Sequence, residues 1–140
     1  MIDQMAVLRA VRKRVIEGSG IDALTQFAES NRDFEPAGIG LWIREFSIGG
    51  TERMLSVKRS RISAFLIQYD VYVPLNSGSS ALEAAIAGIM EEFDLSDPVK
   101  SSVEVDIEGL SVNVKEIKRD GENLKDYRRE KLLFTLDVVS

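Results

Sequence analysis

Residues 65–93 constrain the fold more than any other stretch, because a strand, its stop, a turn and a helix follow one another there without a gap. Phe65, Ile67, Tyr69, Val71 and Val73 recur at every second position with Gln68 and Asp70 between them, which predicts a strand with one buried face. Pro74 has no N–H to give and ends the ladder. Asn76, Ser77, Gly78, Ser79 and Ser80 supply a turn, and Ser80 with Glu83 has the spacing of a capping box. Leu82, Ala85, Ile86, Ile89, Met90 and Phe93 then form one helical stripe.

The flanking sequence extends this pattern. Met5, Leu8, Val11 and Val15 predict a first helix over about residues 2–17, closed by Gly18 and Gly20. Asp22 is expected to cap a shorter helix that buries Leu24, Phe27 and Ala28. Residues 31–40 read as a turn-rich connection, and residues 41–48 as a strand stopped by Gly49 and Gly50. From there to a strand starting near Arg61 runs a connection far longer than the ~2–5 residues of a tight hairpin loop. Met54, Leu55 and Val57 stand among its charges, either in an arm ordered by a neighbour or folded back as further strand.

After a break at Asp97-Pro98, Val103, Val105 and Ile107 alternate with acids, and Val112, Val114 and Ile117 suggest another extended segment. Asp120-Gly121 signals a turn, and residues 127–138 a last strand whose polar start projects beyond the sheet. Together these elements predict one α+β domain over residues 1–140, a mixed sheet of about five strands with helices packed on it. A right-handed crossover is expected to join the strand at Phe65 to a parallel strand at Val103.

Composition narrows the chemistry. The 140 residues are 44% hydrophobic, enough for a real core. Cysteine and histidine are both absent, so no disulfide, thiolate, Ser-His-Asp or HExxH arrangement exists. No spacing among the 23 acidic residues is diagnostic, and the expectation is a non-enzyme without cofactor or metal. Arg9, Arg12, Lys13 and Arg14 interrupt the first helix, so it lacks the ~20 apolar residues of a membrane span, and a soluble, intracellular protein is expected.

The net charge of −5 is unevenly spread. Residues 51–61 carry Arg53, Lys58, Arg59 and Arg61 against Glu52. Residues 91–108 carry Glu91, Glu92, Asp94, Asp97, Glu104, Asp106 and Glu108 against Lys100. Such segregation suits self-association. Three other features admit a second reading. The basic first helix is either a nucleic-acid surface or, as favoured here, a solvated face complementing the helix dipole. The serine-rich turn at Gly78 resembles a phosphate cradle but lacks the Gly-Lys-Ser/Thr end of a P-loop. Trp42, Tyr69, Tyr72 and Tyr127 suggest a stacking platform for single strands, with Tyr69 in register with the core and Tyr72 the better surface candidate.

In order and kind these pieces resemble the phage tail terminator proteins, the small ring-forming tail-completion proteins of long-tailed phages and prophages. The resemblance rests on residues 31–36 leading into Leu41, Trp42, Ile43 and Arg44, on residues 65–74 ending at Pro74, on the Gly78 loop, and on the helix ending in Phe93. The family's loop after that proline often has more than one glycine, whereas here Gly78 stands alone among serines.

The resemblance implies a structural protein of the virion tail, assembled in the host cytoplasm. It would cap the tail tube as a homohexameric ring, halt tube polymerisation and offer a surface for the head-joining protein. Its partners would be further copies of itself, the tail-tube protein and the head-tail joining protein, with DNA passing through without specific binding and no membrane involved. The family's long loop places Arg53, Met54, Leu55, Lys58, Arg59 and Arg61 at a subunit or tube interface. Acids including Glu91, Glu92, Asp94 and Asp97 are the expected counterpart on the next subunit. The alternative is a small nucleic-acid-binding module using the first helix and residues 51–61.

Overall fold

The alternating apolar residues from Phe65 onward lie in the long strand β3 (Arg61–Pro74), whose Phe65, Ile67, Tyr69, Val71 and Val73 are all buried. The computed structural model describes residues 4–29, 34, 40–54, 61–105, 107 and 110–139, with backbone alone at 48–54 and 61–63. Around β3 the chain runs α1 (Gln4–Ser19), β1 (Phe27–Ala28), β2 (Trp42–Met54), α2 (Ser80–Glu92), α3 (Pro98–Ser101), β4 (Ser102–Val103), β5 (Ser111–Asn123) and β6 (Tyr127–Val139). The architecture is α+β, as the sequence predicts. Six described strands form one mixed sheet in the order β1-β2-β3-β6-β5-β4, in which β1 and β2 are parallel and every other pair antiparallel.

The predicted parallel crossover is therefore not present. Three antiparallel steps separate β3 from β4, so the two strands run oppositely at sheet positions that do not touch. The alternation at Val103, Val105 and Ile107 yields only a two-residue strand, and Ile107 is 37% exposed.

Both helices pack on one sheet face. Helix α1 buries Val7, Leu8, Val11 and Val15, leaves Met5 exposed, and stops where Gly20 takes a left-handed φ of 74° and donates its N–H to Ile16 O at 3.1 Å. Helix α2 buries Leu82, Ala85, Ile86 and Ile89, with Phe93 edge-on to Phe134 at a centroid distance of 5.0 Å; Met90, expected on this stripe, is 37% exposed. The helices approach at Gly18 and Gly88, where a Cβ on Gly18 would lie 2.7 Å from Gly88 O. The helix expected after Asp22 is a turn. Asp22 accepts the N–H of Leu24 through its side chain and that of Gln26 through its carbonyl, which competes with helix growth over so few residues. Leu24 is left 92% exposed, while Phe27 and Ala28 enter the sheet as β1.

Three glycine positions behave differently from the expected stops. Gly49 and Gly50 do not end β2. A bulge between Ser47 and Gly49 absorbs the irregularity, and pairing continues to Met54 opposite Arg61. The long connection thus shrinks to residues 55–60, which lie outside the described residues, and with them Leu55 and Val57. Gly121 does not turn the chain either. It sits in β5 opposite Glu130, where a Cβ would run into the Glu130 carboxylate and Arg128 Nη2. The chain reverses instead at residues 124–126, and the polar start of β6 pairs with both β3 and β5 rather than projecting beyond them. A further bulge between Val114 and Glu116 brings Ile117 into phase with Phe134.

Candidate assembly surfaces

The four basic residues of α1 divide into two pairs. Arg9 and Lys13 are exposed, but Arg12 reaches the sheet, donating from Nε and Nη2 to Glu45 at 3.0 and 2.7 Å. Glu45 is fully buried and also accepts from the Tyr69 hydroxyl at 3.0 Å. The hydrogen bond to Glu45 raises the Arg12 pKa further, and burial, reinforced by Glu45, holds the Tyr69 phenol well above its ordinary 10.0. A phenol whose pKa rises on folding contributes stability that is complete below pH 10.0 and is lost as the pH climbs through the folded pKa. Urea midpoints followed from about pH 8 to about pH 11 should therefore fall more steeply in the parent protein than in Tyr69→Phe. Equal slopes would contradict this assignment.

Arg14 is equally committed. It donates to Ser102 O at 2.8 Å, to Lys100 O at 2.6 Å and to Glu92 O, and lies over the Phe93 ring at 4.3 Å. This one guanidinium takes up carbonyls at the end of α2, in α3 and at the start of β4, tying the three together. Desolvation lowers its pKa from the ordinary arginine value. Neither Arg12 nor Arg14 is a solvated cation, so both sequence readings of this helix need correction: half of its basic residues are internal ties.

The aromatic platform is closed as well. Trp42 and Tyr72 stack at 4.1 Å and 8°, Phe34 stacks on Trp42 at 5.1 Å, and Tyr127 meets both edge-on. Trp42 is 5% and Tyr72 8% exposed, so Tyr72 is not the surface residue that alternation alone predicts.

At the start of α2 the capping box does not form. Asn76 and Gly78 take left-handed φ values of 70° and 86°, and Ser79, the residue before the helix, makes no side-chain cap bond. Glu83 turns instead to Arg119, 2.6 Å away, which also donates to the buried Glu130 at 2.6 Å. A charge-assisted pair outcompetes a neutral cap.

The acidic candidates gather at one corner. Glu91 and Glu92 end α2, and Asp94 and Asp97 lie in the turn before α3. Asp94 accepts from Ser96 N at 3.0 Å and Ser96 Oγ at 2.6 Å, bonds that hold its carboxyl below the usual range. Asp97 caps α3 through Val99 N at 2.9 Å. Beside them Val99 is 81% and Leu95 42% exposed, an apolar component that charge patterning missed. A groove of about 370 Å³ between the helix ends is lined by Glu17, Glu91, Glu92, Val99 and Lys100 among others. A cavity of about 520 Å³ under β4 and β5 has Glu104 as its one lining carboxylate among the described residues.

Of the loop candidates, Arg53 and Met54 stand in β2 and Arg61 in β3, at the last pairs of the described ladder. Leu55, Lys58 and Arg59 lie outside the described residues. The contact expected of these residues is with the acids of a neighbouring subunit; within one chain the backbone places the two groups toward opposite edges of the described sheet.

No family model matches the chain, and no curated protein matches it. Among solved structures, a protein bearing only a sequence identifier as its name is similar over 99% of this chain and 96% of its own, with a TM-score of 0.66 and 20% identity. A chain in a structure described as the virion of a native gene transfer agent particle is similar over 96% of this chain and 98% of its own, with a TM-score of 0.54 and 18% identity. These likenesses establish a shared fold over nearly the whole length of each chain.

Proposed function

We propose that the protein is a structural, non-enzymatic component of a phage or prophage tail, a terminator that caps the tail tube as a ring. On this reading it stops tube polymerisation and presents a surface for head joining. The observation that carries it is the fold shared end to end with a chain of a gene transfer agent virion, joined to the resemblance of residues 31–44 and 65–93 to tail terminators. Segregated charge on a single fold supports assembly with copies of itself, because a head-to-tail ring joins two different surfaces of identical subunits. The tail-tube protein and a head-joining protein are the proposed further partners, with DNA passing through the lumen.

The test is direct. Purified protein is mixed with tubes polymerised from the tail-tube protein encoded alongside it and imaged by negative-stain electron microscopy. Rings at one tube end with elongation arrested are expected; continued growth with bare ends, while the protein is folded, would refute the reading. The nucleic-acid alternative is disfavoured by the engagement of Arg12 and Arg14 within the fold, which leaves Arg9 and Lys13 as the exposed cations of α1. Tight, steeply salt-dependent DNA binding by the free protein would revive it.

A further inference from the structure

We infer that the outer edge of β5 pairs with the same edge of a second copy of this chain, antiparallel and about a two-fold axis at Asp120. Strand β4 covers β5 only at Val112 and Asn113, and from Val114 to Asn123 β5 has no strand on its outer side among the described residues. The turn after β5 fixes which backbone groups look outward. Leu124 donates its N–H to Tyr127 O at 2.7 Å, so its backbone points toward β6, and by the alternation of a strand so do those of Glu122, Asp120 and Lys118. Ile117, Arg119, Gly121 and Asn123 therefore turn their N–H and C=O groups to the open side, a row that an added strand would satisfy.

Charge selects the occupant. On the sheet face away from the helices β5 carries Lys118, Asp120 and Glu122 in succession, all exposed. Charged side chains ordinarily guard an edge against pairing. About an axis at Asp120 they match instead: Lys118 of each copy stands opposite Glu122 of the other, in the closer, non-hydrogen-bonded type of pair. In the same register Ile117 meets Asn123 and Arg119 meets Gly121 as hydrogen-bonded pairs, and the glycine leaves room beside the arginine. Arg119 is itself held back by Glu130 and Glu83, at 2.6 Å each, so its charge does not bar the edge. The like-charge pair in this register is Asp120 with its own copy. An axis at Arg119 would be worse, setting Arg119 against itself and Glu116 against Glu122.

Shape agrees with this register. The second copy's residues 117–123 fill the part of β5 beyond its bulge, and its turn over residues 124–126 falls opposite the bulge at Val114 and Glu116, short of β4 at Asn113. An axis normal to the sheet also keeps both copies of α2 on one side. Glu83 of α2 reaches over to Arg119 on β5, and Met90, 37% exposed, lies two turns along the same face of α2, so apolar surface flanks the edge. The two-fold pairing closes on itself, so it describes the free protein and not the head-to-tail contact of a ring.

The test does not depend on the terminator reading. Because the chain has no cysteine, Asp120→Cys introduces a lone thiol on the proposed axis, where the Cα atoms of a non-hydrogen-bonded pair stand about 4.5 Å apart, within disulfide reach. Mild air oxidation of the free protein is expected to give covalent dimers from Asp120→Cys and none from Lys125→Cys, an exposed position in the following turn. In sedimentation, Lys118→Glu and Glu122→Lys should each weaken the dimer about tenfold or more, and an equimolar mixture of the two should recover it, since both cross-strand pairs then join opposite charges. Glu122 also pairs with Arg129 and Lys131 of its own chain, and the cross-link at position 120 stands apart from any loss of those contacts. Asp120→Asn should tighten the dimer. Equal cross-linking at both positions, a folded Asp120→Cys protein that stays monomeric, or a charge-swapped mixture that associates no better than its components overturns the inference. Rings on tail tubes would survive any of these results, and a cross-linking protein that leaves tubes uncapped removes the terminator reading while supporting this one.

Discussion

Replacing Arg12 by alanine is expected to destabilise the fold by about 3–5 kcal/mol, the cost typical of leaving a buried charge without its partner. Glu45 has no exposed surface and receives both of its strong bonds from Arg12, the remaining one coming from the Tyr69 hydroxyl. Without the guanidinium the carboxylate must either stay charged in an apolar surrounding or take up a proton, and both alternatives penalise the folded state. Against a total of roughly 5–15 kcal/mol for a domain of ordinary stability, this is a large fraction. The pair need not stabilise the fold relative to an apolar core, however. The double substitution Arg12→Met with Glu45→Leu should recover much of the loss, since it removes both charges and keeps volume between α1 and β2. Urea unfolding of the two variants decides the matter. A single variant within about 1 kcal/mol of the parent would show that Glu45 is adequately satisfied without Arg12.

The same pair shows how far the sequence could be read. Burial on β3, the apolar stripes of α1 and α2 and the stop at Pro74 were legible because each depends on residues a few positions apart. Arg12 and Arg14 looked like surface cations because their partners are distant in sequence: Glu45 is 33 residues away, Glu92 78 and Ser102 88. Glu83 looked like a capping residue for the same reason, until Arg119 approached across 36 positions. Glycines misled in another way. A glycine in a sequence marks a place where a side chain is unwelcome, and turn, bulge and close approach all satisfy that condition. Gly49 proved to lie at a bulge and Gly121 beneath Glu130, neither of which local pattern distinguishes from a stop. The acidic candidates were legible as a charge run, but their apolar neighbours Leu95 and Val99 became a surface only when α2 and α3 met at a corner.

Gly88→Ala should be the second most damaging change, with a net loss of about 2 kcal/mol and a melting temperature several degrees lower. Two effects oppose each other. Alanine in a helix interior is favoured over glycine by about 1 kcal/mol, so an open site would gain stability. Here a new Cβ collides with the carbonyl oxygen of Gly18, and its three nearest heavy atoms are all backbone atoms of that residue. A side chain can rotate out of the way, but a backbone carbonyl moves only with its helix, so α1 and α2 must separate. Overpacking of this kind costs about 1–3 kcal/mol and occasionally more, and the rigid obstacle places it at the upper end. Separation would also pull Arg14 on α1 away from the carbonyls of Glu92, Lys100 and Ser102, loosening the tie between α2, α3 and β4. Gly88→Ala should thus lower the melting temperature. Gly40→Ala, where an added Cβ meets nothing within 4 Å, is the control expected to leave it unchanged. A stabilised Gly88→Ala protein would mean that the helices do not approach as closely as Gly18 and Gly88 indicate.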